Sequence, residues 1–303
     1  MKILIVGAGG IGGYFGAKLI KAGADITFLL RDKRQKLIQA QGLTVETPKG
    51  NFTVHPKSLT ADQLEPIYDL IILAPKAFDL DDSLRSLSQA STQGVLLPFL
   101  NGLSHIEALD KLFGKARVMG GVAHIAAMIT GTGTVKQLTD LSMLTVGHRA
   151  PEHEALAKEF IALCKQTDFD SAYSENINQV LWNKWVFLAT LAGMTTSARG
   201  SVGEIIATPY GRELTLVMYE ECCSIAKASG QATGDMPKAT EMLTKVGSPF
   251  TASMLRDLLS GQKTEHEHIL GQMISRGEQY GLGCQLLKMA YTQMAVAQIK
   301  NLF

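Results

Sequence analysis

The four cysteines of this 303-residue chain form no C-x-x-C pair, and the adjacent Cys222 and Cys223 are poorly placed to bridge each other. A disulfide-stapled scaffold is excluded, and reduced thiols in a cytoplasmic protein are the expected state. An excess of one charge is missing too: 29 Lys and Arg against 28 Asp and Glu leave a net charge of +1. That supplies no long-range field for gripping nucleic acid, so any phosphate must be bound locally. Apolar runs such as Trp185 to Met194 fall well below the ~18 residues that span a bilayer, and the N-terminal Ile-Leu-Ile-Val-Gly is too short for a signal peptide, so neither membrane insertion nor export is expected. No H-E-x-x-H motif is present, and His266 and His268, two apart, do not share a helix face, so no metal is expected.

What is present is core-forming material. Hydrophobic residues make up 46% of the chain and charged ones 19%, below the roughly 25% charged content usual in soluble domains. The length suits two domains of ordinary size. Lys2 to Val6, a glycine turn, Tyr14 to Ala22 with helical spacing and Asp25 to Leu30 compose a βαβ unit. Further strands are predicted at Leu43 to Thr47, Phe52 to His55, Leu70 to Ala74, Val95 to Phe99 and Arg117 to Ala123, with helices around Asp81 to Ser88 and His105 to Phe113. Alternation of this kind predicts an α/β fold with a largely parallel, doubly wound sheet. After about residue 150 amphipathic helical segments take over, at Pro151 to Thr167, Glu175 to Thr196, Gly211 to Ser229, Pro237 to Val246 and Glu265 to Tyr280. The expected division is residues 1–172 as a nucleotide-binding domain and 173–303 as an all-helical domain. Oligomeric state is left open, and a homodimer is compatible with the sequence.

Gly7-Ala8-Gly9-Gly10-Ile11-Gly12 fits G-x-G-x-x-G between a buried-type strand and a helix, the context in which the pattern binds a dinucleotide. Gly7 would make the turn, Gly9 would let the backbone approach the pyrophosphate, and Gly12 would allow close helix packing, with helix N–H groups facing the anion. In place of the acidic residue that usually holds a ribose 2′-hydroxyl, the second strand ends at Arg31, with Lys33 and Arg34 nearby, so NADP(H) is favoured over NAD. Lys76 and Asn101-Gly102 both stand just past strand ends, where such sheets place ligands. Lys184 is a single cation in the apolar Trp182-to-Ala189 helix, suited to donating a proton to a keto oxygen as hydride arrives. Ser253 to Asp257 and Thr264-Glu265 add polar groups, with Glu265 a counter-ion for the lysine.

In these ordered motifs the chain resembles the ketopantoate reductases (2-dehydropantoate 2-reductases) over nearly its whole length. The resemblance rests on the glycine loop, Arg31, Ala-Pro-Lys76-Ala, Asn101-Gly102, the Met119 to Ala126 segment, Trp182-Asn183-Lys184, and Ser253 and Glu265 twelve residues apart. It implies a Rossmann domain followed by a helical domain with the site in the cleft, and hydride passing from NADPH to the C2 carbonyl of a 2-keto acid. Lys184 would be the general acid, and Glu265 would help place the lysine and the cofactor. Ala126 would contact the cofactor, Asn101 and Ser253 would hold substrate, and Lys76 would lie by cofactor and substrate carboxylate.

The family commonly carries asparagines four and eight residues past this lysine, where the chain has Leu188 and Ala192. Another family asparagine is replaced by Val202, and the usual Pro-x-Asn before the last helix reads Gln285-Leu286-Leu287. Ketopantoate is the default substrate, in the pathway to pantothenate. A paralogue acting on a more apolar 2-keto acid or a D-2-hydroxy acid is the alternative, and a NADPH-binding sensor without turnover is a third reading.

Overall fold

A computed structural model describes residues 1–87, 93–232 and 236–301. The chain divides into two compact units, Met1–Leu100 with His105–Asn178 and Asn101–Ser104 with Gln179–Phe303.

The first unit contains β1 (Lys2–Val6), α1 (Gly10–Lys21), β2 (Asp25–Leu29), α2 (Asp32–Gln41), β3 (Leu43–Thr47), β4 (Gly50–Val54), β5 (Lys57–Leu59), β6 (Leu70–Leu73) and α3 (Leu80–Leu87). It continues through β7 (Val95–Pro98), α4 (Ser104–Phe113), β8 (Gly120–Ile129), β9 (Val135–Gly147), α5 (Glu154–Cys164) and β10 (Asp170–Tyr173). Ser88, the expected end of the helix at Asp81 to Ser88, lies outside the described residues. Five strands form a parallel sheet in the order β5-β2-β1-β6-β7. Its central strands are buried on both faces: Ile3, Ile5, Phe28 and Ile72 feed one core cluster while Leu4, Val6, Ile71 and Leu73 feed another. This alternation of side chains to two covered faces explains why these strands read as continuous apolar runs.

The strands expected at Leu43 to Thr47 and Phe52 to His55 do not join that sheet. β3 and β4 form an antiparallel hairpin, Leu43 opposite Val54 and Thr47 opposite Gly50, because so short a connection cannot make the crossover a parallel pair requires. They belong to a second sheet, β10-β9-β3-β4, with β8 paired antiparallel to β9. The strand expected at Arg117 to Ala123 starts later, after a 3-10 turn at Lys115–Arg117, and runs to Ile129. The thirteen-residue β9 escapes a periodicity reading because its middle is exposed on consecutive positions. β10 is a short strand, paired parallel to β9, in the turn-rich Thr167 to Ser174 stretch between two expected helices, where no strand was expected.

Among its described residues the regular elements of the second unit are all helices: α6 (Ile177–Ala198), α7 (Val202–Ile206), α8 (Gly211–Ala228), α9 (Met236–Leu243) and α10 (Ser253–Leu259). A π-turn (Glu267–Gly271) then leads into α11 (Gln272–Gln279), followed by α12 (Gln285–Asn301). Within α6 the Trp185, Ala189 and Ala192 side chains are almost wholly buried, so the helix is held by packing rather than by a polar outer face. No helix among the described residues is long and apolar enough to cross a membrane. All four cysteines are buried free thiols, and burial pushes the Cys164 thiol up to about 12.

Candidate active site

The glycine loop leaves the carboxyl end of β1, beside β6, where the strand order of the sheet reverses and doubly wound folds seat their ligands. Gly7 takes φ +91°, a left-handed conformation that favours glycine, and its N–H donates to the Leu29 carbonyl at 3.0 Å. At Gly12 a β-carbon would stand 2.3 Å from the Gly7 carbonyl oxygen, so the helix can approach the strand only without one. Gly9 caps α1 with no side chain over the helix end, and no acidic residue lies in the first turn. The N–H groups there are left for an anion.

Around this loop the fold gathers several of the expected residues. The β-carbon positions of Gly7 and Gly9 face the Ala74 carbonyl at 3.9 and 4.0 Å, just before Pro75 and the exposed Lys76. A β-carbon on Gly10 would lie 3.0 Å from the Ala127 carbonyl. The register of β8 shifts between Ile125 and Ala127, so Ala126 stands at an irregularity of the kind that re-aims a strand beside a binding site.

Arg31 is turned elsewhere. Its exposed guanidinium donates to Asp79 Oδ1 at 2.8 Å and Asp82 Oδ2 at 3.4 Å, and the hydrogen bond to Asp79 raises its pKa above the ordinary value. Arg34, noticed in the sequence only as a neighbour of Arg31, is the cation attached to the loop. Its Nη2 donates to the Ala8 carbonyl at 3.1 Å and its Nη1 to the Gly133 carbonyl at 2.7 Å. Its Nε is buried with no hydrogen-bond partner, and burial lowers its pKa. These bonds go to carbonyls, which leave the positive charge uncompensated.

In the helical unit Lys184 is partly buried on α6. Desolvation lowers its amine from 10.5 to about 8, against the opposing pull of the Glu265 charge. Glu265 is itself buried, and Asn101 Nδ2 donates to its Oε2 at 3.4 Å. The next residue, Gly102, has φ +78°, and a β-carbon there would meet the His268 carbonyl oxygen at 2.8 Å. Asn101, Lys184 and Glu265 are thus brought together. Ser253 opens α10; the N–H of Ala252 before it donates to Thr195 Oγ1 on α6 at 3.3 Å. Val202, buried, donates its N–H to the Phe250 carbonyl at 2.9 Å, so Thr195 and Val202 both fix the segment leading to Ser253. Between Lys184 and Thr195, on turns of the same helix, lie the partly buried Leu188 and the fully buried Ala192. A partly desolvated ammonium beside a carboxylate can deliver a proton at neutral pH. The Asn101 amide beside them can orient a polar substrate.

Sequence reading passes over Trp185, whose indole N–H donates to the Ile269 carbonyl at 3.0 Å, and over Asp79. Neither carries a motif: the tryptophan looks like core and the aspartate like a solvated helix start.

Residues 3–151 match the family model described as Ketopantoate reductase PanE/ApbA, and residues 176–298 match Ketopantoate reductase PanE/ApbA C terminal. A Bacillus subtilis protein named Uncharacterized oxidoreductase YkpB is 30% identical over 304 residues, covering 99% of this chain and 100% of that one. A Nostoc protein named 2-dehydropantoate 2-reductase is 26% identical over 308 residues, 99% of this chain and 96% of that one. Among solved structures, 2-dehydropantoate 2-reductase from Geobacter metallireducens has a TM-score of 0.88 at 27% identity, covering 98% of this chain and 100% of that one. D-mandelate dehydrogenase with NADH and anilino(oxo)acetate has a TM-score of 0.90 at 21% identity, with 100% of both chains covered, a likeness of fold.

Proposed function

From membership of the ketopantoate reductase family, to which this chain and its oxidoreductase chemistry belong, we propose that the protein reduces a 2-keto acid with NADPH, 2-dehydropantoate being the default substrate and D-pantoate the product. The observation that carries the reading is Lys184, its amine lowered to about 8 beside the buried Glu265. Its setting in the reducing cytoplasm agrees with the buried free thiols.

The first unit fits a dinucleotide: the glycine cradle would be filled by a β-carbon at Gly12, the α1 terminus carries no acid, and the partly buried Arg34 holds its charge against the Ala8 carbonyl with its Nε unpartnered. Gly7 to Gly12 would hold the pyrophosphate, Lys76 and Ala126 would lie along the cofactor, and Arg31 would take the 2′-phosphate. Exposed ion pairs are worth only about 0–1 kcal/mol, so Arg31 can exchange Asp79 and Asp82 for a phosphate. When bound, the reduced nicotinamide supplies the hydride that reaches C2 of the substrate. Lys184 gives its Nζ proton to the C2 oxygen, which becomes the hydroxyl, and regains a proton from solvent. Glu265 keeps the lysine charged at neutral pH. Asn101 and Ser253 hold the substrate's polar groups.

Leu188 and Ala192 favour a second reading, reduction of a more apolar 2-keto acid. Steady-state rates on 2-dehydropantoate and 2-ketoisovalerate with NADPH and with NADH separate the two. A clear preference for 2-dehydropantoate upholds the first reading; a preference for 2-ketoisovalerate replaces it with the second. Nucleotide binding without turnover of any 2-keto acid overturns both.

A further inference from the structure

We infer that Trp185 is a positioning residue for the proton-donating pair, its indole N–H fastening the π-turn that sets where Glu265 stands relative to Lys184. This rests on the proposed reduction only for its kinetic consequences.

A π-turn is rare, and as a single wide turn within a helix it inserts one extra residue, which rotates everything before it by about 100° relative to the α-helix that follows. Here the Gln272 N–H reaches back to the Glu267 carbonyl, while the Ile269 N–H donates to the carbonyl of Glu265 itself at 2.9 Å. Glu265 is therefore the residue whose direction the turn decides. Were the turn to relax to α-helical bonding, the carboxylate would swing about the axis and leave the lysine.

Two contacts hold the turn from outside. Trp185, adjacent to Lys184 in the chain and 1% exposed, donates to the Ile269 carbonyl at 3.0 Å. Beside the indole, Gly102 lies so close to the His268 carbonyl that a β-carbon would come within 2.8 Å of its oxygen and 3.8 Å of Trp185 Nε1, and its neighbour Asn101 donates to the Glu265 carboxylate. Lys184, Trp185, Ile269 and Glu265 thus form a closed circuit. A buried indole N–H requires a partner, and the one it takes here is directional and ties one backbone position of the turn to α6.

Other titratable groups stand at the turn, the partly buried His268 among them. Glu267 accepts the Tyr291 hydroxyl at 2.6 Å, His266 Nδ1 shares a hydrogen bond with Thr264 Oγ1 at 2.8 Å, and Arg276 of α11 stacks over the rings of Trp182 and Trp185 at 5.4 and 6.0 Å. Glu265 is the carboxylate whose charge acts on Lys184.

The test is Trp185→Phe, which keeps a large ring and deletes the donor. The expected result is a kcat lower by roughly tenfold or more, an unchanged KM for the nucleotide, and an alkaline limb of kcat moved to lower pH because Glu265 no longer supports the charged lysine. Glu265→Gln should move the limb the same way, and the double variant should move it no further. Lysine 13Cε NMR on the free protein reads the same titration of Lys184 without turnover. Should Trp185→Phe fail to fold, Gly102→Ala presses a β-carbon on the His268 carbonyl next to the Trp185 indole N–H and should shift the titration likewise. A variant that leaves the Lys184 titration unmoved overturns the inference. If the wild-type protein reduces no 2-keto acid but the Lys184 titration still moves in Trp185→Phe, the proposed reaction is overturned and the positioning role stands.

Discussion

Replacing Lys184 by Met should stabilise the protein at neutral pH. The side chain keeps its length and apolar stem in α6 and loses only the charged head. Burial holds the lysine pKa at about 8 against 10.5 in the unfolded chain, a difference that corresponds to about 3 kcal/mol of cost for carrying the charge in the folded state. The sign follows from a depressed lysine: the cost is fully present below the folded pKa, where both states are protonated, and disappears as pH rises through the unfolded value. Lys184→Met should therefore be more stable than wild type at pH 7, by up to about 3 kcal/mol, and the gap should shrink to about 1 kcal/mol or less near pH 10. Urea denaturation of both proteins without nucleotide at the two pH values measures it. A variant no more stable than wild type at pH 7, or a gap that does not change with pH, would refute the reasoning that Lys184 is held against its own solvation.

Asp79→Asn should release Arg31 and raise affinity for NADPH by a few-fold, as expected for an exposed pair worth under about 1 kcal/mol, with NADH affinity unchanged. Fluorescence titration with both nucleotides checks this, and Arg31→Ala should cancel the gain. Gly12→Ala forces a β-carbon against the Gly7 carbonyl and should abolish binding of either nucleotide while lowering the thermal transition of the protein.

The parallel sheet was legible because its strands are buried on both faces, so Leu70 to Leu73 and Val95 to Pro98 read as unbroken apolar runs. In the second sheet β3 and β4 were legible as strands, but their place beside β9 was not, because β9 exposes its middle and breaks the alternation a strand would show. Glycine spacing, Lys184 and Glu265 could be picked out because a cation in an apolar helix and a glycine fingerprint after a strand are local signals. Arg34 could not: that it holds the Ala8 carbonyl rather than facing solvent depends on where the β8–β9 turn at Gly133 folds back. The pairing of Arg31 with Asp79, and the bond from Trp185 to Ile269, likewise join residues far apart in sequence.

Central to this account is Lys184 as proton donor in the reduction of a 2-keto acid. The most direct test is kcat for 2-dehydropantoate and 2-ketoisovalerate with NADPH, measured across pH on wild type and Lys184→Met. The expected result is reduction that falls away above pH of about 8 as Lys184 loses its proton, and a variant that binds nucleotide but has lost this turnover. Undiminished activity in Lys184→Met, with the same alkaline limb, would contradict it.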